Sequence, residues 1–239
     1  MTARTELLLT MAGIDVHTHL APDLTQSGLL PGIESRADGL SVDGILIGPA
    51  ALYRPDALVD HLRGAGLAEA VVSLPPLFDR PGLSRAEAGQ WARAANDGLS
   101  RAVGARPELR PLAHLPLHRP DVALDEYRRR RTEPLWAGVS ASVGLAPLSL
   151  ADERYRELWQ QLDRDAVTVL LHPGTSTDPR LAEFYLSNLL GNPYEVGLAA
   201  AQLIAGGVLQ RFPRIRFVLA HCGGVLPAVI GRMQRGYET

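Results

Sequence analysis

The sequence predicts an α/β fold of the (β/α)8 TIM-barrel type, with only about six β/α units present in the chain. Three observations carry that expectation. Apolar, β-branched runs recur, each followed by a segment of helical periodicity, and strands alternating with helices mean a parallel sheet. Histidines stand at or just beyond the ends of several runs, where barrel chemistry is built. The first β/α turn lacks Gly-x-Gly-x-x-Gly and carries two histidines instead, which argues against the alternative, a doubly wound open sheet.

The candidate strands are Gly13–Leu20, Ala68–Pro75, Leu109–Leu117, Trp136–Val143, Val167–Pro173 and Arg216–Gly223. Helical segments are expected at Pro55–Gly64, Ser84–Val103, Asp121–Arg131, Asp152–Asp163, Pro193–Phe212 and Val225–Gly236. Ser84 and Glu87 form a capping-box pattern, and Pro55 and Pro193 suit the first turn of a helix. From Ala21 to about Arg54 runs a long Gly-, Pro-, Ser- and Asp-rich loop, placed where barrel loops build active sites. A closed barrel has eight units and typically about 250 residues. Thr239 follows the helix after the sixth strand, so residues 1–239 are expected to be one C-terminally incomplete barrel domain. The strands Gly13–Leu20 and Arg216–Gly223 should then be the edges of an open sheet.

Composition removes several chemistries. All 24 basic residues are arginine, so Schiff-base, pyridoxal-phosphate and P-loop chemistry, each needing a lysine amine, are absent. A formal charge of -2 gives no reason to expect nucleic acid or an anionic membrane as partner. The run Arg128-Arg129-Arg130-Arg131 reads as a solvated helix end. Cys222 is the single cysteine, which excludes an intramolecular disulfide and suits a reducing, cytoplasmic setting. No signal-peptide pattern stands at the start, and no apolar run reaches membrane-spanning length.

Asp15-Val16-His17-Thr18-His19 places two imidazoles on one face of an extended segment, about 6–7 Å apart along the backbone, where both rings can turn to one ion. Imidazole suits zinc and its transition-metal neighbours. His172 closes Val167-Thr-Val-Leu-Leu-His172, and His221 closes Phe217-Val-Leu-Ala-His221. A histidine ending an apolar strand before a glycine-rich turn is costly as core, because an unpaired buried imidazole loses its hydrogen bonds. His114 reads equally as a structural imidazole or a substrate contact, whereas His61 and His118 read as solvated.

These motifs, with Cys222-Gly223-Gly224-Val-Leu-Pro227, Gly231-Arg232 and Phe184-Tyr-Leu-Ser-Asn188-Leu-Leu-Gly191-Asn-Pro193-Tyr-Glu195, resemble the amidohydrolase superfamily. The likeness extends to Gly206–Phe217 and is strongest to the branch of aminocarboxymuconate-semialdehyde decarboxylase. The resemblance implies metal ligands at His17, His19 and His172, and a catalytic His221 beside a metal-bound water. Three neutral ligands leave zinc an open position, where bound water has a pKa of about 7. With no lysine to carbamylate, one divalent ion is implied, zinc first, with manganese or another transition metal as alternatives. The resemblance also implies that Arg232 reaches from one subunit of a homodimer to a substrate carboxylate in its neighbour, with Asn188 and Arg54 as further substrate-binding candidates. The branch's last ligand, an aspartate ending the eighth strand, has no equivalent here. Its arginine after the first strand has none clearer than Arg54. The resulting expectation is a metal-dependent hydrolase or nonoxidative decarboxylase of a small carboxylated or cyclic substrate; the alternative is a silent barrel that retains the metal-site histidines.

Overall fold

Residues 13–24, 32–36, 39–145, 148–174 and 178–239 are described by the computed structural model. Chain order begins with strand β1 (Gly13–His19), after which comes a small antiparallel sheet of β2 (Ile33–Arg36), β3 (Gly39–Val42) and β4 (Ile45–Leu46). Helix α1 (Pro55–Gly64) leads to β5 (Leu67–Ser73), α2 (Arg85–Val103) and β6 (Leu109–His114). Then follow α3 (Pro120–Arg130), β7 (Gly138–Val143), α4 (Arg156–Arg164) and β8 (Thr168–Pro173). The described chain closes with α5 (Asn192–Ala205), α6 (Val208–Arg211), β9 (Arg216–Leu219) and α7 (Leu226–Tyr237).

The six expected barrel strands lie side by side in the order β1-β5-β6-β7-β8-β9, and every neighbouring pair is parallel. Period two sorts their residues. Ala113, Val139, Ala141, Val143, Val169 and Leu171 pack against Tyr155, Leu158, Trp159, Leu162, Ala199 and Leu203 on the helical side. Ser140, Ser142 and His172 alternate with those residues and so occupy the opposite, inner face. The strands β1 and β9 are the sheet's edges, as the sequence led one to expect, and Ile14 and Val16 on β1 are 54% and 55% exposed.

Local chemistry accounts for the helices. Ser84 accepts from the Glu87 amide while the Glu87 carboxylate accepts from the Ser84 amide, and Gly104, at φ 54°, ends α2. Its inner stripe of Trp91, Ala95, Leu99 and Val103 is buried. In α4, Leu158, Trp159 and Leu162 are buried, and the Trp159 indole donates to the Leu150 carbonyl at 2.9 Å while stacking on Tyr155.

Several expected boundaries move. The helix expected over Pro193–Phe212 breaks at Gly206–Gly207, because Gly207 takes a left-handed φ of 68° that ends a helix. The segment expected to be a loop from Ala21 to about Arg54 contains the β2–β3–β4 sheet, which packs Ile33, Leu40, Val42 and Ile47 into the core. The expected strand through Gly223 stops at Leu219. Arg130 is not solvated: it is buried, pairs with Glu133 at 2.7 Å, also pairs with Asp97, and lies over the Trp136 ring. His61 is exposed as expected, but His118, between β6 and α3, is half-buried.

One buried amide pins the end of β6. Asn96 on α2 accepts from the His114 amide at 2.8 Å and donates to the His114 carbonyl at 3.0 Å and to Glu126 at 2.7 Å. Truncation would remove the side-chain partner of the His114 amide and carbonyl and one donor to Glu126, whose carboxylate Arg129 still answers. Asn96→Ala should therefore cost about 3 kcal/mol of stability, read as a lower urea midpoint at unchanged slope; a loss under about 0.5 kcal/mol would show that the network adds little.

Candidate metal centre

The C-terminal end of the sheet gathers four imidazoles. His17 and His19 come from β1 and His172 from the end of β8, and their ligand nitrogens lie within 4.8 Å of one another. The His17 ring centre stands 5.4 Å from that of His19, 4.9 Å from His172 and 5.4 Å from His221, and His172 is 5.5 Å from His221. The convergence expected from strand-end placement is therefore present, with one difference. His221 is not on its strand but opens a short turn, His221–Gly223, two residues beyond β9. His221 and Cys222 hold φ of 50° and 55°, followed by Gly223 at 78° and Gly224 at 62°. Left-handed backbone at a non-glycine pair is costly and tends to mark functional positions. Gly224 also lies so close to the Pro193 carbonyl that no side chain fits.

Hydrogen bonds orient the rings. His172 Nδ1 lies 2.8 Å from the Pro173 carbonyl, which accepts, so the proton sits on Nδ1 and Nε2 keeps a free lone pair. His19 Nδ1 is 3.0 Å from the Ser73 hydroxyl, and β1 and β5 pair these two residues in register. Burial, then the charge of His17, pushes His19 down to about 4 against the opposing carbonyls of Leu74 and Ser73. Burial, then His19, pushes His172 down to about 3. His17 is lowered by burial and by His221, with Asp15 opposing, and His221 by burial alone. Three neutral imidazoles, two of them with hydrogen-bonded rings, fit a borderline divalent cation.

Arg54, Asn188 and Arg232, the three substrate-binding candidates, are all exposed and lie outside the imidazole cluster. Asn188 sits on a π-helical turn, Ser187–Gly191, just before α5.

Sequence reasoning missed a second group at this end of the sheet. Asp79 follows a turn, Pro76–Phe78, after β5; its carboxyl is buried with an oxygen 3.9 Å from His114 Nε2. Burial pushes Asp79 up to about 7, opposed by Ser142 and Arg80, and burial together with His118 pushes His114 down to about 4. The signal available was position alone, an acid just past a strand end.

Parallel β/α architecture with histidines at its strand ends defines a barrel-type protein whose active face can hold a metal ion. The family described as amidohydrolase matches residues 14–238, and the chain belongs to it. Among curated relatives, the 2-amino-3-carboxymuconate-6-semialdehyde decarboxylase of Dictyostelium discoideum is 25% identical, over 95% of this chain and 67% of its own length. The γ-resorcylate decarboxylase of Rhodococcus jostii is 36% identical, over 59% of this chain and 48% of its own length. A dihydroxybenzoic acid decarboxylase from Polaromonas, solved with manganese and 2-nitroresorcinol, superposes at a TM-score of 0.72 with 23% identity, covering 96% of this chain and 71% of that one. That likeness establishes the shared fold.

The two buried groups give stability opposite pH dependence. A carboxyl raised from 3.8 to about 7 binds more protons folded than unfolded, so its contribution is full below about pH 4 and is lost as pH rises through 7. His114, depressed from 6.5 to about 4, contributes fully above pH 6.5 and loses that contribution as pH falls toward 4. Asp79→Asn should accordingly gain stability relative to the parent between pH 5 and pH 8 in paired urea titrations. An equal offset at both values would place the Asp79 carboxyl in an ordinary environment.

Proposed function

We propose that this chain carries the site of a metal-dependent nonoxidative decarboxylase acting on a small carboxylated aromatic or diene substrate. Convergence of His17, His19 and His172 as neutral donors, with His221 beside them, carries this reading. The matched relatives favour decarboxylation over hydrolysis, since both are named decarboxylases.

In this reading His17, His19 and His172 hold one divalent ion, zinc before manganese because all three donors are imidazole nitrogens. When bound, the ion supplies Lewis acidity toward substrate oxygens. His221 holds a proton at its ring and returns it to the carbon that loses CO2, where the electrons of the broken C–C bond remain. Its lowered pKa leaves the ring mostly unprotonated at neutral pH, so the proton it delivers is first taken up from the substrate or from solvent. Arg232, Asn188 and Arg54 are the candidates to bind the substrate carboxylate, and a guanidinium does so with two parallel hydrogen bonds. Arg232 would reach the neighbouring site of a homodimer. The lone, exposed Cys222 fits a cytoplasmic setting. No helix among the described residues is long and apolar enough to cross a membrane.

Metal analysis and CO2 release with 2,6-dihydroxybenzoate and related acids test the reading. One equivalent of metal with CO2 release is expected, and His19→Ala should lower metal affinity at least about tenfold, in the range seen when site-supporting groups are removed. Metal without turnover on any acid would make the chain a silent barrel, and stoichiometric metal in both His17→Ala and His19→Ala would refute the ligand set. Arg232→Ala should raise KM about tenfold at unchanged metal content; unchanged KM would return that arginine to the surface.

A further inference from the structure

The end of the sheet opposite the imidazoles holds a cavity of about 210 Å³. It is lined by the first residues of three strands, Gly138 of β7, Thr168 of β8 and Arg216 of β9, together with the end of α3, the chain at Trp136 and the turn after α4. Thr168 and His172 stand four residues apart on β8, about 13 Å along the strand. The cavity and the metal centre are therefore separate places.

Both carboxylates in the cavity wall are answered from within the chain. Glu133 accepts from Arg130 at 2.7 Å and from the Trp136 indole at 2.9 Å. Asp165 accepts from Tyr127 at 2.8 Å and from Gln161 at 3.1 Å, with Arg131 3.7 Å away. Arg130 and Arg131 also stand at the end of α3, where cations offset the helix dipole. Arg216 has no such duty. It opens a strand, its Nε donates to the Thr168 hydroxyl at 3.2 Å, and among the described residues it pairs with no carboxylate. One guanidinium in the wall thus keeps an unmatched charge and a free fork of terminal nitrogens. The remaining wall is largely apolar, made by Ala137, Val139, Ala166, Val167 and the ring of Trp136.

We propose that this cavity is a second ligand site, taking a small monocarboxylate whose apolar body lies against Trp136 and whose two oxygens are bound by Arg216. A planar fork matches a carboxylate with two parallel hydrogen bonds, and one unmatched cation calls for one negative charge. Size sets the rest of the class. The volume falls below the usual range for ligand pockets of about 300–1,000 Å³, which confines the occupant to about one ring. Arg216 and Ala137 are exposed, so the site is reached from solvent without passing the active face. Nothing in this inference depends on the metal or on the decarboxylase reading.

The chain has three tryptophans, and they separate the two ends of the sheet. Trp136 lines the cavity, whereas Trp91 and Trp159 are 1% exposed and lie outside it. Nitrogen-15 indole spectra of the full metal-loaded chain, titrated with benzoate, therefore test the site. The Trp136 signal should shift saturably, with Kd on the order of a millimolar for so small a ligand, while Trp91 and Trp159 stay in place. Benzyl alcohol, a neutral ring of like size, should give no saturable shift, and inorganic phosphate, an oxyanion without an apolar body, should bind at least about tenfold more weakly. Arg216→Gln should raise the benzoate Kd about tenfold or more; Arg164→Gln, which removes a charge at the end of α4 outside the cavity, should leave it unchanged. An unmoved Trp136 signal, equal weakening in both variants, or phosphate binding as tightly as benzoate would overturn the proposal.

Discussion

Four imidazoles crowded at one end of a sheet cannot all hold protons, and the active face depends on that constraint. Burial is the larger effect for His19 and His172, and the charge of a neighbouring imidazole adds to it. A fall from 6.5 to about 4 corresponds to about 3 kcal/mol of resistance to protonation. An ordinary imidazole is already mostly neutral at pH 7, so this lowering matters chiefly in mild acid, where it keeps the lone pairs unprotonated. Such neutrality would be of no use were the lone pairs turned away. The Pro173 carbonyl and the Ser73 hydroxyl prevent this by engaging the outward nitrogens, and both come from the strand ends themselves.

The strands deliver these rings because a parallel sheet repeats the same inward position from strand to strand. His19 is level with Ser73, and Ser142 with His172. His221 arrives by another route. Its strand is four residues long and stops short of it, so a run of left-handed residues carries the ring back toward His17. A turn of that kind is strained at His221 and Cys222 and sterically exclusive at Gly224, against Pro193 at the start of α5. The rigid part of the site is therefore the trio on β1 and β8, and the fourth imidazole rides on a turn whose geometry is set by packing against a helix.

Much of this was legible in the sequence for a physical reason. Alternation of apolar runs and helical stripes is a one-dimensional consequence of burying strands on both faces, and histidines interrupting such runs at their ends have no cheap structural use. Hence the parallel sheet, the capped α2 and the imidazole cluster were readable. What escaped depended on contacts remote in sequence. The β2–β3–β4 sheet lies in a stretch rich in turn residues, whose few apolar side chains gain a core only once α1 and β5 are in place. Arg130 looked solvated within a run of arginines, but Glu133 and Trp136, just beyond it, draw it inward. Asp79 carries no motif; only the fold brings it beside Ser142 and His114.

The two halves of the active face make opposite demands on protons, and their overlap defines the range in which the face is uncharged. The imidazoles at His19, His114 and His172 shed protons above about pH 4. Asp79 keeps its proton up to about pH 7. Between these limits these four groups are all uncharged. Above pH 7 the same buried carboxyl becomes an anion, held by the Ser142 hydroxyl and by the nearby charge of Arg80.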